Sequence, residues 1–156
     1  MLYPLSYRGM YSDARRLLRH DARAMIPAQM GMQAIGLVFA GAGAGGVVRY
    51  LLSLALNPLV AALPLGTLVA NVLGCGMAGA LLGLLLARPG LDPTMRPLMI
   101  AGFVGGMTTF STFALEVLAM FEIGRPMLAA GTIVLHVSAS LAAALLGLWA
   151  VRALLA

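Results

Sequence analysis

The sequence predicts an all-α membrane protein with four transmembrane helices, the third broken in mid-membrane. Three observations lead there. Of its 156 residues, 62% are hydrophobic and only 10% charged, with a mean hydropathy of +0.99, more apolar surface than a water-soluble domain of this size can bury. Four apolar segments each exceed the roughly 20 residues that take a helix across about 30 Å of hydrocarbon. The third segment carries glycines and hydroxyls at its centre, where they weaken a helix.

Residues 1–31 form an Arg-rich extension, with Arg8, Arg15, Arg16, Arg19 and Arg23 set against Asp13 and Asp21. They contain no apolar core followed by an A-x-A-like cleavage site, as a signal peptide requires. Three readings stay open: a positive cytoplasmic flank that fixes orientation, a short amphipathic surface helix around residues 14–24, or translation starting at Met30 or Met32. The four-span domain is expected over residues 32–156.

The first span is expected at Met32–Leu56, charged only at Arg49, and the second at Leu65–Ala87, with no charge. The third is expected over 97–121 and the fourth over 127–151, joined by short links at 57–64, 88–96 and 122–126, each containing proline. The pairs Gly41 and Gly45, Gly79 and Gly83, and Gly102 and Gly106 have G-x-x-x-G spacing, which lets helix backbones approach closely in lipid. They predict a tight bundle that includes an oligomer interface. Cys75, the single cysteine, excludes an intrachain disulfide and a multi-cysteine metal site, and is expected to be a buried, inert thiol.

The net charge of +5 comes mostly from the N-terminal extension. Within the four-span region, Arg88, Arg96 and Arg152 fall on one side of the membrane, with Arg125 and Arg49 toward the other. Such a small bias lets the region insert either way and pair with an inverted copy of itself, whereas the extension favours its own end inside. A short terminal Arg cluster is no nucleic-acid-binding face, and no nucleic-acid partner is expected.

The chemistry concentrates in the third span, GFVGGMTTFSTFALEV at 102–117. Hydroxyls and a carboxylate at membrane depth are costly and face a partner or an aqueous path, and opened backbone is tolerated there only inside protein or lining a cavity. At 1.5 Å rise per residue, Arg49 lies roughly 10 Å, Asn71 roughly 9 Å and Glu116 roughly 8 Å from one face. An Arg49–Glu116 contact or a shared polar vestibule is therefore expected. Phe110, Phe113 and Glu116 share a helix face at i, i+3, i+6, with Ser111 and Thr112 interleaved, and a ring edge is positive enough to meet an anion. His136 and Ser140 stand at i, i+4, with Ser138 on another face. No second histidine or carboxylate has ligand spacing for zinc or copper.

These residues lie in five stretches, GAGAGGVVRYLLS at 41–53, GTLVANVLG at 66–74, LDPTMRPLMIAGFVGG at 91–106, TTFSTFALEV at 108–117 and VLHVSAS at 134–140. In them the chain resembles the Fluc (CrcB-type) fluoride channels across all four spans. The resemblance implies a dual-topology antiparallel homodimer in the bacterial plasma membrane, passing fluoride passively through two pores. It implies a structural Na+, not transported, held by the backbone carbonyls of Gly105 and Thr108 from each subunit. It implies that Phe110 and Phe113 line the pore with Ser111 and Thr112 between them, that Asn71 is the pore asparagine and Arg49 the vestibule arginine, with Glu116 on the path. His136 and Ser140 fall on its fourth-span polar track. The chain departs from the pattern at Ala144, where relatives often carry a hydroxyl, and in its long N-terminus.

The residue types suit the task. Fluoride is small and strongly hydrated, so a pore must replace water with amide, hydroxyl and ring-edge donors weak enough to release it. Two other classes compete. A small four-span multidrug exporter needs an embedded carboxylate, typically in its first span, where this chain has Arg49. A membrane scaffold or enzyme subunit is the other; an enzyme needs a nucleophile–base pair or metal cluster, and His136 has neither acid nor thiol at helical spacing.

Overall fold

A computed structural model describes residues 32–60, 62–88 and 96–155; the expectations for residues 1–31 and for most of the 88–96 link lie outside them. Every regular element among the described residues is a helix: α1 (Met32–Leu56), a 3₁₀ turn at Asn57–Leu59, α2 (Leu65–Ala87), a π-helical stretch at Pro97–Val104 running into the short α3 (Gly105–Met107), α4 (Phe110–Glu122) and α5 (Pro126–Leu155). Four stretches, Met32–Leu59, Leu65–Ala87, Leu98–Glu122 and Pro126–Leu155, are long and apolar enough to cross a membrane. The chain is a multi-pass membrane protein. The fourth span, α5, outruns its expected end at residue 151, because no glycine or proline stops it there and Arg152 in the last turn favours the negative end of the helix dipole.

The links are built from a few side chains. Pro58 opens the 3₁₀ turn after α1, and Asn57 Oδ1 accepts from the Gly66 N–H at 2.8 Å, tying the end of α1 to the start of α2. Between α4 and α5 the backbone turns at Gly124, with φ 74°, a left-handed value that a side chain would strain. There Gly124 N–H donates to Phe121 O at 3.0 Å and Arg125 N–H to Met120 O at 2.9 Å, the paired bonds of a Schellman cap.

Residues from Gly36 onward form one compact unit, and its glycines set how closely the helices cross. A Cβ on Gly41 would meet Leu98 O and Phe103 N, one on Gly45 would meet Phe103 O, and one on Gly106 would meet Ala42 O. Likewise, a Cβ on Gly79 would meet Ala144 O and one on Gly147 would meet Gly76 O. The G-x-x-x-G pairs are thus consumed within the chain, by α1 against the third span and α2 against α5. The small core joins Phe113, Val117, Met120 and Ala129, with Leu128 packed beside it. Leu115, Leu118, Val134, Leu141, Leu145 and Trp149 are exposed, an apolar exterior suited to lipid rather than water.

Candidate functional site

The site begins where the third span changes course. Thr108 still belongs to the preceding turn: its N–H and its Oγ1 both donate to Val104 O, at 2.9 Å and 3.0 Å. Its backbone then extends, with φ −82° and ψ 149°, and Thr109 continues extended at φ −150° and ψ 124°. Thr109 also starts the next helix. Its Oγ1 accepts from the Thr112 N–H at 3.2 Å, satisfying a donor that the first turn leaves open. The same hydroxyl donates to Thr112 Oγ1 at 3.2 Å and lies 3.2 Å from Ser111 Oγ.

Two side chains from other spans hold this backbone. Asn71 of α2 reaches the Thr109 peptide with both ends of its amide: Oδ1 accepts from Thr109 N–H at 2.8 Å and Nδ2 donates to Thr109 O at 3.0 Å. In a continuous helix the Thr109 N–H would close onto Gly105 O, four residues back. Asn71 takes that donor instead, leaving the Gly105 carbonyl without its helical partner. From α1, Arg49 Nε donates to Gly106 O at 3.4 Å. Arg49 and Asn71 therefore converge on one stretch of backbone.

The expected Arg49–Glu116 contact is not made. The Thr67 hydroxyl donates to Glu116 Oε1 at 2.6 Å, while Oε2 is buried without a hydrogen-bond partner. Thr67 lies one turn before Asn71 on α2, so the carboxylate pairs about two turns away from the interruption, toward the α1–α2 link, rather than on the arginine. It borders a cavity of about 340 Å³ shared with Asn57, Pro64, Met120 and Arg125.

A second cleft, of about 280 Å³, runs past Asn71, Thr108 and Thr109 and is bounded by Phe110, Phe113 and His136. Ser140 and Cys75 also line it. The two phenylalanines differ: Phe113 is 7% exposed and Phe110 77%, although their rings lie 5.6 Å apart. Phe113 stacks on the His136 ring at 4.7 Å, with 35° between planes. His136 is 4% exposed, with Nδ1 at 3.1 Å from Thr132 O and Nε2 buried without a partner. A carbonyl only accepts, so Nδ1 carries the proton of that bond. Ser138, on another face, donates back to Val134 O at 2.6 Å.

Sequence reasoning missed two members. Thr67 was legible as the residue four before Asn71, on the same helical face. Cys75, expected to be buried, is half-exposed and lines the cleft, and its position four after Asn71 was the available signal. Among the described residues no three His, Cys, Asp or Glu side chains gather at a metal-binding spacing.

A family profile described as "CrcB-like protein, Camphor Resistance (CrcB)" matches residues 36–148. The chain belongs to this family. A relative from Pseudomonas aeruginosa (strain UCBPP-PA14), "Fluoride-specific ion channel FluC", is 46% identical over 112 residues, covering 72% of this chain and 88% of its own. One of the same name from Tolumonas auensis is 47% identical over 108 residues, 69% of this chain and 85% of its own. Another, from Burkholderia lata, is 44% identical over 119 residues, 76% of this chain and 93% of its own. All three relatives are named as ion channels, and this CrcB-like chain is not an enzyme.

Proposed function

We propose that this CrcB-like protein is a fluoride-selective channel that lowers cytoplasmic fluoride by passive flow. The observation that carries the reading is the extended Thr108–Thr109 backbone, held by Asn71 and flanked by a cleft of hydroxyls and ring edges. Support also comes from the names of its relatives. Hydrofluoric acid entering as a neutral molecule dissociates inside, and the ion, too strongly hydrated to cross lipid, needs a polar route out. Along the cleft it exchanges water for the second Asn71 N–H, the Ser140 hydroxyl and the positive edges of Phe110 and Phe113. Ser111 and Thr112 add hydroxyls beside the cap, and Arg49 and Glu116 set the field at the entrance. None of these groups binds so strongly that the ion is trapped.

The interruption falls in mid-membrane in this reading, where opened backbone must be enclosed or ligated. The Gly105 carbonyl has lost its helical donor to Asn71, and neutral carbonyl oxygens suit a hard cation. Gly105 and Thr108 fit a structural Na+ on that ground; when bound it supplies a positive charge that favours an anion nearby. Asn71 keeps the Gly105 carbonyl open by taking the Thr109 N–H, the Thr109 hydroxyl keeps the Thr108 carbonyl open by taking the Thr112 N–H, and Arg49 holds Gly106 O.

The working unit is an antiparallel homodimer. Phe110 presents its ring outward, which leaves the cleft walled on one side only, and a second, inverted copy closes it and completes the carbonyl set. Expression in a bacterial strain stripped of its own fluoride exporters tests the reading. Growth in millimolar fluoride is expected with the wild-type chain and not with Phe110→Ile; equal sensitivity of the strain with and without the wild-type chain overturns it.

A further inference from the structure

We propose that His136 and Ser140 hold a fixed water on the wall of the cleft, and that this water is the donor offered to fluoride there. The imidazole is committed on one side only. Its Nδ1 proton goes to Thr132 O at 3.1 Å, so the neutral ring carries a bare lone pair at Nε2. The side chain is 4% exposed, and Nε2 is buried with no hydrogen-bond partner among the described residues. A buried acceptor left unbonded is costly, and in a polar cavity an ordered water is the usual remedy.

The same helix supplies the second contact. Ser140 follows His136 by one turn of α5, and side chains at that spacing have Cβ atoms about 5–6 Å apart. Both residues line the cleft. Ser140 is half-buried, and its hydroxyl makes no hydrogen bond among the described residues. The cleft measures about 280 Å³, against about 30 Å³ for one water, so a held water and a passing ion fit in it together. The water donates one hydrogen to Nε2, accepts from the Ser140 hydroxyl, and keeps its second hydrogen for the cleft. That hydroxyl rotates freely, donating to the water between ions and to the ion as it passes.

The consequence is a reversal of polarity. A neutral Nε2 turns negative charge toward an anion and repels it. The water covers that lone pair and presents an O–H in its place. His136 is therefore a positioning residue, acting on fluoride only through the water. The occupancy of the seat does not depend on the proposed function, whereas its effect on fluoride rests on that reading.

Two measurements test it. The first is solid-state NMR of the full chain in lipid with isotope-labelled histidine, His20→Gln leaving His136 as the only histidine. At neutral pH a proton is expected on Nδ1 and none on Nε2, with magnetisation passing from water to the ring. The second is fluoride release from proteoliposomes. His136→Phe keeps a ring against Phe113 but has no acceptor. It is expected to slow release about tenfold, the weight of one hydrogen bond, with a melting temperature no lower than that of the wild type. His136→Gln, which keeps an acceptor, is expected to recover most of the rate. A protonated Nε2, a ring out of contact with water, release by His136→Phe at the wild-type rate, or equal slowing by a folded His136→Gln overturns the proposal. The NMR spectrum decides the water even where a substitution at position 136 does not fold. Absent release by the wild-type chain counts against the channel reading instead, and the spectrum still decides the water.

Discussion

The side-chain amide of Asn71 takes both polar groups of the Thr109 peptide, accepting at 2.8 Å and donating at 3.0 Å. A backbone that leaves the helical path inside an apolar bundle must find substitutes for its lost bonds. One residue, thirty-eight positions away, provides both.

Asn71→Asp keeps the acceptor for Thr109 N–H but turns a second oxygen toward Thr109 O. The unmade bond costs about 1–3 kcal/mol, and the added charge opposes an anion in the cleft. Fluoride conduction is expected to fall to background with a lower melting temperature in detergent, and retention of either property counts against the clamp.

Phe110 and Phe113 are predicted to separate. Phe110→Ile removes an exposed ring, so conduction is lost while the melting temperature of the detergent-purified chain barely moves. Phe113→Ala removes a core ring stacked on His136, costing about 3–5 kcal/mol, so folding and conduction fail together. Equal destabilisation by both changes contradicts the burial difference.

Gly79→Val drives a side chain into the Ala144 backbone carbonyl, and overpacking of this kind costs about 1–3 kcal/mol. Gly43→Ala meets nothing within 4 Å and is expected to be neutral. Thermal unfolding of the two variants should differ by several degrees, and a matched pair of melting curves overturns the packing account.

Thr109→Val keeps the branched side chain and removes the capping oxygen of α4. A loss of about 1 kcal/mol is expected, together with slower fluoride flux, read by unfolding and by efflux. Wild-type values in both assays show that the cap is dispensable.

Exchange of sodium for N-methylglucamine during purification and reconstitution is expected to reduce fluoride flux, and return of sodium to restore it. Full flux in strictly sodium-free vesicles rules out the cation assigned to the Gly105 and Thr108 carbonyls.

Much of the frame was legible from composition. The second span was expected and is found at Leu65–Ala87, because proline and the absence of charge delimit it. The glycine pairs announced close crossings, though not which helices cross. The π-helical course of Pro97–Val104 has no local signature, since it answers to the packing of α1 on the same stretch. Of the two arrangements expected of Arg49 and Glu116, the direct contact is not made, for a related reason: equal depth along separate helices does not fix rotation about their axes. Asn71 was legible as a polar residue out of place, but its hold on Thr109 depends on how α2 and the third span are turned toward each other. Cys75 and Thr67 were hidden by the same ignorance, each one helical turn from Asn71.

The most direct test of the central claim is voltage-driven fluoride release from proteoliposomes, followed by electrode beside chloride in matched vesicles. The account predicts rapid fluoride release by the wild-type chain, chloride retained, and release abolished in Phe110→Ile. Fluoride held back by correctly folded wild-type protein, or chloride released as readily, would contradict it.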